Sequence, residues 1–215
     1  MTIDVRLRRV EDKDLPIFFE QQRDPDAVRM AAFTHKDPAD RNAFNAHWTR
    51  IRGDPRVTIR TILAGGRVVG NVAAFVDDVF GKQEVTYWIG KEFWGQGIVT
   101  RALSRFLTEV TKRPIYGRAA KDNVASIRVM EKCGFRISGE DRGFANARGK
   151  EIEEVILELK GPRKGTVSRT QADRCTPSAA SLTRCIAALP RGECARHGWP
   201  VARCSRSRQS TPRRR

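Results

Sequence analysis

No run of apolar residues in this chain approaches the roughly 18 that a membrane helix needs, which excludes a helical membrane span. The first nine residues alternate charged and apolar side chains and lack the apolar stretch of a secretory signal, so a cytoplasmic protein is expected. No Cys-x-x-Cys pair occurs either. Cys133 stands by itself, and Cys175, Cys185, Cys194 and Cys204 follow without paired spacing, which argues against a zinc site and for free thiols in a reducing compartment. No metal is expected, and no internal repeat is visible.

What is present divides at Lys160. Residues 161–215 hold only six Val, Ile, Leu, Met, Phe, Trp or Tyr, too few to offset an ordering entropy of roughly 1–2 kcal/mol per residue. Disorder is the expectation for them. Of the formal charge of +16, residues 1–160 carry 28 Lys and Arg against 23 Asp and Glu, a net of +5, and the tail carries the other +11. The pI of about 10.5 is therefore a property of the tail. Nucleic-acid binding is not expected of the first 160 residues, although nonspecific phosphate contact by an Arg-rich tail remains open. With 12 Arg and one Lys, the tail is either such an arm or a reading-frame extension of a GC-rich gene.

The length of 215 residues suits one well-buried domain, 1–160, with an appendage. Ile3 to Arg8 alternates as a strand, and a capped helix opens near Glu11 ahead of Leu15, Ile17, Phe18 and Phe19. A second helix is predicted over Pro38 to Ile51, with Ala39, Phe44, His47, Trp48 and Ile51 on one buried face. Val57–Leu63 and Val68–Val76 form a hairpin about Ala64-Gly65-Gly66. A strand over Glu84–Ile89, a helix over Thr100–Thr111, a strand over Ile115–Ala119, a helix from Asn123 to Cys133 ended by Gly134, and strands over Phe135–Ile137 and Glu153–Leu159 follow. This order predicts an α+β domain with a central, largely antiparallel sheet and helices on both faces.

The most informative segment is Tyr87-Trp88-Ile89-Gly90-Lys91-Glu92-Phe93-Trp94-Gly95-Gln96-Gly97-Ile98-Val99-Thr100, a strand passing through a glycine loop into a helix. Gly95 and Gly97 let successive backbone N–H groups converge, and the helix adds its positive end, so the segment suits a pyrophosphate. Farther on stands Asp122-Asn123-Val124-Ala125-Ser126-Ile127-Arg128-Val129-Met130-Glu131-Lys132-Cys133-Gly134-Phe135. Together these two segments resemble the GNAT superfamily of acyl-CoA N-acyltransferases over roughly Val5 to Lys160, and within it the Rim-type branch.

The resemblance implies acetyl-CoA as co-substrate and an amine as acceptor, with the coenzyme pyrophosphate on a Q/R-x-x-G-x-G/A loop and an N-x-x-(A/S)…G-F helix beside the pantetheine arm. Carried over, coenzyme contacts fall on Trp88, Ile89, Gly95, Gln96, Gly97, Ile98, Val99, Thr100, Asn123 and Ser126. Trp94 and Val99 depart from the loop pattern, but the binding atoms there are backbone amides. Met130 takes the position where many relatives carry a tyrosine that protonates the departing thiolate.

An amine acceptor requires a base, because its ammonium titrates near 10. Glu84, on the strand entering the loop, is the first candidate, and a solvated strand charge is its bland alternative. Splaying of the strand after Trp88 would leave a backbone N–H between Trp88 and Gly90 to polarise the thioester carbonyl. Asn123 either binds the pantetheine amide, caps its helix, or does both. Ser126 either hydrogen-bonds the thiolate or bonds a preceding carbonyl. His47 fits the core, and the resemblance puts His35 in a loop walling the acceptor pocket. Three functions compete: an acetyltransferase working as a monomer or a homodimer, a CoA-binding regulatory domain without turnover, and an RNA- or ribosome-associated protein using its tail.

Overall fold

A computed structural model describes residues 3–77 and 81–161. Apart from Gly161, the expected disordered tail, 161–215, lies outside the described residues. Strand β1 (Val5–Arg8) leads into α1 (Leu15–Arg23), α2 (Pro25–Ala31) and α3 (Arg41–Gly53). Then come β2 (Thr58–Ala64), β3 (Arg67–Val76), β4 (Gln83–Ile89), α4 (Ile98–Glu109), β5 (Ile115–Ala120), α5 (Val124–Lys132), β6 (Arg136–Ala145) and β7 (Lys150–Leu159). Among the described residues, seven strands form one sheet in the order β1-β2-β3-β4-β5-β7-β6, in which only β4 and β5 run parallel. The fold is α+β with a mixed, mostly antiparallel sheet. Among the described residues no helix is long and apolar enough to cross a membrane.

Alternation along the strands gives each face of the sheet its own layer. On one face, α1 and α3 lay Phe18, Phe19, Phe44, Trp48 and Ile51 over Ile59 and Ala73, with Phe18 and Trp48 stacked at 5.0 Å. On the other, α4 buries Ile98, Ala102, Leu103 and Phe106 and α5 adds Met130, all against Ile62, Val72, Val85, Ile115 and Leu157.

Several expected boundaries shift. α3 begins at Arg41 because Asp40 caps it, accepting from the Ala43 N–H at 2.9 Å, so Ala39 is outside the helix and exposed. His47 is half-buried at the edge of a cavity rather than in the core. The short strand expected over Phe135–Ile137 runs on to Ala145, carried by pairing with β7 through a register shift at Ile137/Gly139 despite its glycines. Helix α2 was not legible by periodicity, yet Asp24-Pro25 is a helix-start signal. Asp24 accepts from the Ala27 N–H at 2.8 Å, and Pro25 stands in the first turn, where no backbone donor is needed.

Candidate active site

Among the described residues the only parallel pair is also the shortest, with partners Gln83↔Ile115 and Glu84↔Tyr116, after which β4 and β5 part. The splay thus begins at Glu84 rather than after Trp88, and the first turn of α5 stands over it, where Ser126 meets Tyr87. Gly90 N–H donates to the Val69 carbonyl at 3.0 Å on the β3 side. By the alternation of an antiparallel ladder, Trp88 N–H also turns to β3, while those of Tyr87 and Ile89 turn to the side that β5 has left. The expected carbonyl donor narrows to Ile89.

Beyond β4, Gly95 and Gly97 adopt φ of +74° and +67°, the left-handed region that glycine enters without strain. A β-carbon on Gly95 would meet nothing within 4 Å, so its backbone is open to a ligand. Gly97 is the N-cap of α4, whose first-turn N–H groups thereby face the loop. Arg101, one turn on, reaches back to donate to the Gln96 carbonyl at 3.2 Å.

The loop, the splayed end of β4 and α5 enclose one end of a cavity of about 530 Å³, and α2, the loop before α3, and β7 close the other. Such a volume is within the range of small-molecule sites. Trp88, Ile89, Gly95, Gly97, Ile98, Val99, Thr100, Asn123 and Ser126 all line it. The side chains of Ile98 and Val99 are buried in the core, which leaves their backbone to serve the cavity. Gln96 does not line it: its amide turns away to donate to the Glu92 carbonyl at 3.0 Å. Trp94, in the place of a polar loop residue, donates its indole N–H to the Ile89 carbonyl at 3.2 Å.

Asn123 caps α5, its Oδ1 accepting from the Ser126 N–H at 3.1 Å, while Nδ2 donates to the Met30 carbonyl at 3.2 Å and ties α5 to α2. The hydroxyl partner of Ser126 is the Tyr87 phenol, at 2.7 Å, rather than a preceding helical carbonyl. Met130 points into the core at 1% exposure and packs on Gly117, so the helix position of the family tyrosine supplies nothing to the cavity here.

Glu84 is not a solvated strand charge: it is buried, and it accepts from Arg118 at 3.3 Å. Nor does it line the cavity; Arg118 and Glu154 do. Arg118 on β5 is shared by three carboxylates, Glu84, Asp141 (3.2 Å) and Glu154 (2.9 Å). Burial raises the pKa of Glu84, with Arg118 pulling it back and Asp77 pushing it up. Burial likewise raises that of Glu154, opposed by Arg118 and reinforced by Asp141 and Glu84. Both carboxyls are thus moved toward neutral pH, the range where a carboxylate accepts a proton most usefully. Sequence reasoning missed Glu154, because Glu153-Glu154 breaks the alternation of β7 without a local signal. His35 lines the end of the cavity closed by the loop before α3, with Nδ1 3.0 Å from the Asp37 carbonyl.

The model of the acetyltransferase (GNAT) domain matches residues 4–136 of the chain, more than half of its length. The chain is a GNAT acetyltransferase. It uses acetyl-CoA as the acetyl donor, as members of the family do. Over 165 residues it is 29% identical to the "Putative ribosomal N-acetyltransferase YdaF" of Bacillus subtilis, a match covering 72% of this chain and 90% of that protein. A ribosomal-protein-alanine N-acetyltransferase from Brucella melitensis superimposes with a TM-score of 0.62 at 19% identity, over 72% of this chain and 99% of the other. The spermidine N-acetyltransferase from Vibrio cholerae, in complex with CoA and spermine, gives 0.59 at 18% identity over 72% and 95%. At those identities the two structures establish the shared fold.

Proposed function

We propose that this GNAT enzyme transfers the acetyl group of acetyl-CoA directly to a primary amine, of a small molecule or of a protein N-terminus, in a ternary complex. The observation that carries this reading is that one cavity joins a phosphate-binding loop and a splayed strand edge to a buried carboxylate cluster on the opposite wall. The loop from Gly95 to Thr100 and the N-terminus of α4 hold the pyrophosphate. Asn123 and the β4 edge border the pantetheine arm, and Ile89 N–H faces the thioester carbonyl, where charge develops.

Glu154 takes the proton that makes the acceptor a nucleophile, directly or through water. Glu84, behind Arg118, sets the charge of that cluster. On attack the C–N bond forms and the C–S bond breaks with its electron pair going to sulfur, and the proton that nitrogen sheds on collapse ends on the CoA thiol. Ser126 offers its hydroxyl to that sulfur. The acceptor class draws support from the relatives, one named a ribosomal N-acetyltransferase and one holding spermine, a polyamine whose two ends are primary amines.

The test is to incubate the full-length protein with acetyl-CoA and a panel of N-terminal peptides, polyamines and small amines, following free CoA thiol and acetylated product. Stoichiometric release of thiol and acetyl-amine is expected with at least one class. Tight calorimetric binding of acetyl-CoA with no release across the panel would instead make the domain a coenzyme sensor without turnover.

A further inference from the structure

Tyr87 was not singled out by the motif that contains it, and the structure gives it an unusual position. It is half-buried beside the core, lines the cavity, and comes from β4 where that strand has left β5. Its phenol oxygen lies 2.7 Å from Ser126 Oγ and 3.2 Å from the Ser126 carbonyl. The first distance is that of a well-formed O–H···O bond and the second is long for one. Burial raises the phenol's pKa further, with the Ser126 hydrogen bond opposing, so the group stays protonated and keeps its proton to donate. Either oxygen could donate across this contact; a phenol, even with its pKa raised, is a more acidic donor than an aliphatic hydroxyl, which favours Tyr87 as donor and Ser126 as acceptor.

That direction matters because a serine hydroxyl has a single hydrogen. In a helix the hydroxyl ordinarily turns that hydrogen back to a carbonyl three or four residues earlier. With Oγ already accepting from Tyr87, the O–H of Ser126 is free to point into the cavity, and its oxygen is polarised to donate more strongly. The tyrosine that relatives carry on the helix is Met130 here, and Met130 faces the core. A phenol is nevertheless present, delivered from the strand wall.

We infer that Tyr87 is the positioning residue for the leaving group: it orients the Ser126 hydroxyl so that this hydroxyl, and no tyrosine on α5, holds the departing CoA thiolate. This rests on the acetyl-transfer reading above. Tyr87 transfers no proton in the step. The C–S electron pair goes to sulfur, the Ser126 O–H hydrogen-bonds the resulting thiolate, and the proton from the acceptor nitrogen completes the thiol.

The experiment compares full-length wild type with Tyr87→Phe, Ser126→Ala and the double variant. Each single change should lower kcat by about tenfold or more while KM for acetyl-CoA stays within about twofold, the loss of a hydrogen bond to a developing charge. The double variant should be no slower than Ser126→Ala, because Tyr87 acts only through the serine. A second readout is the ultraviolet thiolate absorbance of bound free CoA against pH. Its thiol should ionise at lower pH in the wild type than in Tyr87→Phe, a difference that a merely structural tyrosine would not produce. Wild-type kcat and an unmoved thiol titration in Tyr87→Phe, or losses that multiply in the double variant, would overturn the inference. If Tyr87→Phe matches wild type while Ser126→Ala is slow, only this inference fails. Should Ser126→Ala also match wild type, the serine's part in the acetyl-transfer reading fails with it.

Discussion

Asp14 and Glu154 are both carboxylates buried against an arginine, at 0% and 2% exposure, yet their surroundings push them in opposite directions. Asp14 has Arg8 on both oxygens at 2.7 Å, the Glu11 N–H at 2.9 Å and the Thr61 hydroxyl at 2.7 Å. Burial by itself would raise its pKa, but these donors outweigh burial and lower it. Glu154 must share Arg118 with Glu84 and Asp141, and there burial wins. The supply of hydrogen bonds therefore separates a carboxylate held charged from one pushed toward its neutral form. Location completes the distinction: Asp14 pins the start of α1 to β1 and β2, away from the cavity, whereas Glu154 forms part of its wall.

Exchanging the two charges for amides should break this comparison most visibly in turnover. Glu154→Gln is expected to lower kcat by a factor of about 10²–10⁴ with acetyl-CoA affinity unchanged, and raising pH should recover part of the loss as more acceptor amine becomes neutral. Asp14→Asn should leave the kcat of the folded protein within about twofold. Because the pKa of Glu154 is raised, the acid limb of kcat/KM against pH should lie above the ordinary carboxylate value of about 4.3 and vanish in Glu154→Gln. Glu84→Gln should fall between wild type and Glu154→Gln in rate; a loss as large as that of Glu154→Gln would make Glu84 the base.

Stability should show the reverse order. Asp14→Asn is expected to cost about 1.5–3 kcal/mol in denaturant melts at neutral pH, the range for hydrogen bonds to a charged group. A carboxylate with a lowered folded pKa contributes stability above its unfolded value, about 3.9, and loses it as pH falls through the folded one. The gap between wild type and Asp14→Asn should therefore close in acid. For Glu84 the sign is opposite: its raised pKa favours the fold at low pH, and that contribution is lost as pH rises through it. Melts of Glu84→Gln should accordingly gain on wild type as pH rises. A parallel acid dependence in both variants would erase the distinction.

A site made of backbone responds to neither kind of change. Gly97→Val places a branched residue at φ +67° and should raise the acetyl-CoA dissociation constant tenfold or more, about 1.4 kcal/mol, in calorimetry. The smallest effect is expected from ending the chain after Gly161. Both carboxylate centres and every described cavity-lining residue precede that point, so melting temperature and acetyl-CoA affinity should be unchanged. A loss of either would show that residues 162–215 contribute to the domain.

The glycine loop was legible because its left-handed backbone at Gly95 and Gly97 is a conformation that glycine marks locally. The capped start of α5 at Asn123 was legible for a similar reason, since a cap is a contact within one turn. Helix α2 escaped notice because its seven residues are too few for a clear period, although its Asp-Pro start was in view. The length of β6 was hidden by Gly139 and Gly143, whose low strand propensity is overridden by the ladder to β7. Tyr87 has no local sequence signal beyond its motif, because its partner lies 39 residues on in another element.

Local sequence thus determined the α+β class, the glycine loop, the helix beside it and the resemblance to one family, since each is set by periodicity or by interactions within a few residues. Tertiary structure decided which charges meet. Glu84, Arg118, Asp141 and Glu154 come from four different strands, and only the sheet order β4-β5-β7-β6 brings three carboxylates to one guanidinium. It also decided that Glu154 rather than Glu84 lines the cavity, and that Met130 faces the core while Tyr87 reaches Ser126. The pKa of a buried group depends on the donors and charges gathered around it in space, and sequence spacing does not carry that information.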